Sequence, residues 1–281
     1  MVDLTHRCNM NCANCYIPNR EIADIDADRL IECLSKFPKR TNIRLAGAEP
    51  TLRSDLLDII SRIRKLGHRV VLLTNGLRLS RKSYVSELYD AGLRHIYISL
   101  NGADNDDWYE RIDNLRCARK KIQALENIVD KNMILNTGTI LMRGVNEQAI
   151  QRVVDLVTDL NPRHALLRFK NVGALGRYDQ DAEKCNLSMF ELERLTADAI
   201  DCRTETLSRF NKIKGNVEPN TRLFPVNLSA KTGTSVWIKL SDWQADNNGL
   251  VDLGSTRRGR ITPNFMVAPF FEHVKEFEGS Y

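Results

Sequence analysis

No apolar run in this 281-residue sequence approaches the roughly 20 residues that cross a bilayer as a helix. The longest stretches, such as Val70 to Leu73, are strand-sized, so a membrane location is not expected. Glycine and proline are sparse, at 15 and 8 residues, which excludes collagen-like and low-complexity readings. No tract of one charge sign stands out either. The 41 Lys+Arg and 36 Asp+Glu are interspersed to a net +5, so nothing argues for a nucleic-acid partner. A charged-then-apolar leader is also missing, since residues 1 to 5 run straight into a cysteine cluster. Seven cysteines, an odd number with three crowded into residues 8 to 15, do not make a disulfide framework. The expectation is a cytoplasmic, reduced protein.

Hydrophobic residues make up 42% of the chain, enough for a substantial core, and their spacing organises it. Short β-rich runs at Val2–Thr5, Asn42–Ala46, Arg69–Thr74, His95–Leu100, Ile134–Leu141 and Ala165–Lys170 alternate with helical runs up to about residue 204. Leu56, Ile59, Ile60, Ile63 and Leu66 form one helical stripe, stopped by Gly67. Ile150, Val153, Val154, Val157 and Leu160 form another, ended by Asn161-Pro162. Ser188 and Glu191 have capping-box spacing at the start of a later helix. Six βα units predict an α/β fold with a parallel sheet, either doubly wound or an unclosed barrel. Periodicity does not choose between the two. From about residue 206 the pattern becomes β-rich, with runs at Thr221–Leu228, Ser235–Leu240 and Gly249–Leu253 and a final helical stretch over Pro269–Phe277.

Cys8, Cys12 and Cys15 lie after the first strand with gaps of three and two residues, so three thiolates can converge on one centre. Soft thiolates suit zinc or iron–sulfur clusters. Structural zinc takes four protein ligands, and His6 is the one candidate nearby. A four-iron cubane on three cysteines would leave one iron open to a small molecule. A zinc-binding or redox-sensing thiol loop without catalysis is the rival reading.

Companion segments stand at successive strand ends. Ala46-Gly47-Ala48-Glu49-Pro50 follows the second strand, Thr74-Asn75-Gly76 the third and Ser99-Leu100-Asn101-Gly102 the fourth; Arg143-Gly144-Val145-Asn146 follows the fifth. With CxxxCxxC, these resemble the radical S-adenosylmethionine (radical SAM) superfamily, and the core is similar to its molybdenum-cofactor maturase-like branch. The resemblance covers about residues 1 to 205. Two positions depart from the family pattern: Asn14 stands where an aromatic residue usually precedes the third cysteine, with Tyr16 just after, and Ala48 replaces a glycine.

The resemblance implies an incomplete (βα)6 TIM-like barrel over residues 1–205, with a C-terminal extension over 206–281 covering the barrel and shaping the pocket. It implies a [4Fe-4S] cluster on Cys8, Cys12 and Cys15, with S-adenosyl-L-methionine (SAM) on the fourth iron, cleaved to a 5′-deoxyadenosyl radical that abstracts a substrate hydrogen atom. Tyr16, Gly47, Ala48, Glu49, Thr74, Ser99, Asn101 and Asn136 would face SAM. The substrate expected is a small polar metabolite such as a sugar, nucleoside or natural-product intermediate. Peptide modification and glycyl-radical-enzyme activation are alternatives. An electron donor such as a flavodoxin or ferredoxin is implied.

Other residues carry paired readings. Arg168 and Lys170 share one face of the sixth strand, which suits either an anionic group of SAM or substrate, or neighbouring acids. Cys33 falls on an apolar helix stripe with Leu30 and Leu34 and is read as core. Cys117, Cys185 and Cys202 are scattered, and none lies beyond residue 202, which disfavours auxiliary clusters and leaves hydrogen donation to a substrate radical as their candidate role. Arg257-Arg258-Gly259-Arg260 could clamp a phosphate or form a solvated turn.

Overall fold

The computed structural model describes residues 1–15, 17, 20–171, 182–214, 221–227, 235–241, 259–265 and 267–268. Six strands alternate with helices: β1 (Val2–Thr5), α1 (Ala27–Ser35), β2 (Asn42–Gly47), α2 (Leu56–Lys65), β3 (Arg69–Thr74), α3 (Lys82–Asp90), β4 (His95–Ser99), α4 (Asp106–Asp113), α5 (Ala118–Asp130), β5 (Ile134–Leu141), α6 (Ala149–Leu160) and β6 (Ala165–Asn171). Each pairs in parallel with the next in sequence, as crossover helices require. Of the two architectures left open by periodicity, an incomplete TIM-like barrel is the one adopted.

After β6 come α7 (Ala182–Cys185), α8 (Met189–Ala199) and α9 (Thr204–Lys214), then β7 (Thr221–Asn227), β8 (Ser235–Ser241), β9 (Arg260–Ile261) and β10 (Val267–Ala268). These four strands enter the same sheet, whose order is β10-β9-β1-β2-β3-β4-β5-β6-β8-β7. β8 continues the parallel run beside β6, β7 folds back antiparallel on β8, and β9 pairs with β1 at the opposite side. The runs read at Gly249–Leu253 and Pro269–Phe277 lie outside the described residues.

Period-two alternation divides each strand between two environments. Leu45, Leu72, Ile96, Ile98, Leu135, Leu167, Phe169 and Ile238 are buried in one apolar core with helix residues such as Leu34, Ile59, Ile63, Val153 and Val157. The alternate positions Arg44 and Ala46, Tyr97 and Ser99, and Arg168 and Lys170 line an inner cavity instead. Cys33 packs at the edge of the core, as its helical spacing predicts.

Helix ends follow local chemistry. Ser188 and Glu191 form the reciprocal capping box at the start of α8. Asn161 takes a left-handed conformation, φ 48°, to close α6. Arg260, read as a phosphate clamp or a solvated turn, is neither: its Nε donates to Asp3 Oδ2 at 2.6 Å, and both side chains are buried where β9 meets β1. A guanidinium held by a buried carboxylate is committed to the fold.

Candidate active site

The cysteine loop is clamped from three sides. Ala13 N–H donates to Ile112 O at 3.0 Å and Asn114 Nδ2 to Asn11 O at 2.6 Å, tying the loop to the end of α4. Asn75 Nδ2 donates to Asn9 Oδ1 at 2.8 Å. Ala48 N–H and Glu49 N–H donate to Thr5 O and Arg7 O at 2.8 and 3.0 Å. Gly47 has φ +118°, and a Cβ there would sit 2.2 Å from Thr5 O, so this close approach of two chains requires glycine. Ala48 is not among the residues with positive φ, and its methyl group is unstrained.

The three thiols, together with Gly47, Ala48, Thr74, Ser99, Asn101 and Arg168, line a single cavity at the carboxyl ends of the strands. Arg20 donates to Cys15 Sγ at 3.2 Å and Met10 N–H to Cys8 Sγ at 3.4 Å. Burial pushes the Cys8 thiol up, and burial with the adjacent Asp113 carboxylate pushes Cys12 up further. Among the described residues, no three His, Cys, Asp or Glu side chains close on one metal-ion position. Three soft donors spread along a cavity wall, with N–H groups aimed at sulfur, fit an iron–sulfur cluster.

Glu49 has a different place. Its carboxylate is fully buried and accepts from Thr51 N–H (3.0 Å), Thr51 Oγ1 (2.5 Å), Thr74 Oγ1 (2.7 Å) and Asn75 N–H (2.7 Å). It ties the ends of β2 and β3 together and does not line the cavity. Asn136 faces inward beside His95 on β4 but is also absent from the lining. Tyr16 lies outside the described residues. Cys117 is buried in the apolar core, Cys185 packs on Ile112 and Met142, and Cys202 packs against the main core, so none of the three lines the cavity.

Several lining residues escaped the sequence reading. Lys121, on α5, is fully buried, and its Nζ donates to Asn75 O at 2.5 Å and Ser99 O at 2.8 Å, joining the third and fourth strand ends. Its spacing to Ala118, Ala124, Leu125 and Ile128 places a cation on an apolar stripe, which is a readable signal. Arg44, two residues before Ala46, was readable by alternation. Asp113 carried no local signal: it is 2% exposed, with Oδ1 accepting from Asn101 Nδ2 at 2.9 Å and Oδ2 without a donor among the described residues. Asn146 locks this end of the barrel by donating to Asn101 O and Ile140 O.

A family model described as the Radical SAM superfamily matches residues 2–157. The chain is 31% identical to the 7,8-dihydro-6-hydroxymethylpterin dimethyltransferase of Methanocaldococcus jannaschii, over 64% of this chain and 37% of that protein. It is 26% identical to the GTP 3′,8-cyclase of Clostridium perfringens, over 76% of this chain and 68% of that protein. Its fold matches that of Streptococcus suis SuiB bound to S-adenosylmethionine with a TM-score of 0.64, at 15% identity, covering 99% of this chain and 60% of that one. The chain thus spans about a third of the first relative and about two thirds of the second. With the family model covering more than half of its length, the chain belongs to the radical SAM superfamily, whose enzymes use a [4Fe-4S] cluster and SAM as cofactors.

Proposed function

We propose that the enzyme abstracts a hydrogen atom from a small polar metabolite carrying a phosphate or carboxylate. The observation that supports this class is the charge of the inner cavity: Arg44 from β2 and Arg168 and Lys170 from β6 line it around Tyr97. Arg168 stacks over the Tyr97 ring at 5.4 Å. Burial pushes the Tyr97 phenol up, but Lys170, Arg168 and Arg44 outweigh it and pull the phenol below its ordinary value. Burial, with Arg168 and Arg44, lowers the Lys170 ammonium. An anionic group entering there meets concentrated positive potential and two guanidinium forks suited to paired oxygens. The GTP named for one relative is itself an anionic nucleotide, which supports the same class.

When bound, the cluster and SAM supply a 5′-deoxyadenosyl radical that takes the hydrogen atom. Cys8, Cys12 and Cys15 would hold the cluster, and the Gly47–Ala48 backbone, Thr74, Ser99 and Asn101 would orient SAM. The cationic wall would fix the substrate so that one C–H bond faces the cofactor, an orientation effect. A flavodoxin- or ferredoxin-type protein would deliver the electron.

Anaerobic reconstitution with iron and sulfide, reduction, and an assay for 5′-deoxyadenosine would test the reading, using paired panels of anionic metabolites and their neutral counterparts. Stimulated cleavage with deuterium transfer from labelled anionic members is expected, and its loss in Arg168→Gln. Transfer from a neutral compound or a peptide, unchanged in Arg168→Gln, would overturn it.

A further inference from the structure

Asp113 ends α4 beside the cavity, 2% exposed, and holds one orphaned oxygen. Its Oδ1 accepts from Asn101 Nδ2 at 2.9 Å, and Asn101 is itself fixed because its Oδ1 accepts from Ile140 N–H at 2.9 Å. The carboxylate is therefore oriented before any ligand arrives. Among the described residues its Oδ2 accepts from no donor, and a buried carboxylate oxygen without one is costly. The Lys121 charge and the Cys12 thiol both favour the carboxylate, but neither is a settled donor to that oxygen. Lys121 Nζ donates to the carbonyls of Asn75 and Ser99. The Cys12 thiol faces Asp113, but a cysteine bound to iron has lost its proton and becomes a second anion.

Glu49 sharpens the contrast. That carboxylate accepts four hydrogen bonds from Thr51, Thr74 and Asn75 and stands outside the cavity lining. Its capacity is taken up by the fold. Asp113, with Cys8, Cys12, Cys15, Ala48, Ser99 and Asn101, lines the cavity and keeps an acceptor unfilled. A ligand entering the cavity can bring the donor that completes it, and SAM, the ligand read for this cavity, is a cation carrying amino N–H groups and ribose hydroxyls.

We propose that Asp113 is a SAM-binding residue whose Oδ2 accepts a hydrogen bond from an amino N–H or a ribose hydroxyl of the cofactor. The inference rests on the reading of this cavity as the SAM site. The same helix end clamps the cysteine loop through Ile112 O and Asn114, so the acceptor and the cluster ligands share one rigid support. A purely structural role, orienting Asn101, is the rival. An amide at position 113 keeps an oxygen for Asn101 while removing the charge, which separates the two.

The test compares wild-type, Asp113→Asn and Asp113→Glu enzymes after reconstitution, counting iron and sulfide and recording the cluster's electron paramagnetic resonance signal. Equilibrium dialysis then gives Kd for SAM, S-adenosylhomocysteine and 5′-methylthioadenosine. With the cluster intact, Asp113→Asn is expected to raise the SAM Kd by about tenfold or more, the size of a lost charge-assisted bond. Methylthioadenosine weakened equally would place the contact at the ribose, and weakening confined to the two ligands with an amino-acid moiety would place it at the amino group. A SAM Kd within about twofold of wild type would overturn the proposal. If Asp113→Asn takes up no cluster, Asp113→Glu decides: its displaced acceptor should still weaken SAM, and a wild-type Kd would overturn the proposal. Failure of the SAM-site reading looks different, because wild-type enzyme would then bind no SAM.

Discussion

The two faces of the same strands do opposite work. On β6, Leu167 and Phe169 are fully buried against the helices, while Arg168 and Lys170, one residue away in each case, line the inner cavity. On β4 the split is Ile96 and Ile98 against Tyr97 and Ser99. Outward residues hold the sheet to its helices by apolar burial and close packing, which tolerate no charge. Inward residues are polar because they border a cavity, where a polar group is not forced into apolar packing. A radical enzyme needs both: a rigid outer wall to exclude water, and an inner wall that positions a substrate without reacting with the radical. What differs between the faces is therefore the environment each meets, packed helices on one side and a cavity on the other.

Substitutions can break that comparison. The largest effect belongs to the cluster: Cys12→Ala should abolish both the brown chromophore and 5′-deoxyadenosine formation, and full turnover by this variant would contradict the ligand set. Next come neighbours on β6. Phe169→Ala should destabilise the fold by about 3–5 kcal/mol, since it empties a fully buried aromatic site. Arg168→Gln should leave the urea midpoint nearly unchanged while raising the Tyr97 phenol pKa, because one of three cations that pull it down is gone. Urea unfolding and ultraviolet difference titration read the two effects, and a large midpoint shift in Arg168→Gln would blur the division between faces.

The smallest effect lies outside both faces, at the α8 capping box. Hydrogen bonds from Arg143 and Ser188 hold the Glu191 carboxyl down to about 2. A carboxylate with a depressed folded-state pKa stabilises above its unfolded value near 4.3, and that contribution disappears as pH falls toward about 2. Glu191→Gln should flatten the acid limb of the stability curve in that window, modestly, because both partners are partly in solvent. An unchanged acid limb would remove the pair from the account.

Much of the fold was legible because its signals are local. Strand alternation, the Gly67 and Asn161 helix stops and the Ser188–Glu191 box each depend on a few consecutive residues, and each appears where its spacing predicts. The cysteine trio and the segments at Gly47, Thr74 and Asn101 were legible for the same reason. Legibility ended where a residue's role depends on distant chain. Arg260 read as a phosphate clamp or a solvated turn because Asp3, its partner, lies 257 positions away. Glu49 read as a cofactor contact, yet its carboxylate gathers donors from Thr74 and Asn75 on the neighbouring strand end.

The sequence by itself determined which residues share a face on the fourth and sixth strands, where helices stop, and that three soft ligands share one short loop. Those are consequences of backbone period and spacing. Tertiary structure alone decided that β8 would extend the parallel run, that Arg44 would join Arg168 and Lys170 across the cavity, and that Asp113 would reach Cys12 with an oxygen unpaired. Strand order and helix crossing bring those groups together from opposite ends of the chain, and no local pattern encodes such a meeting.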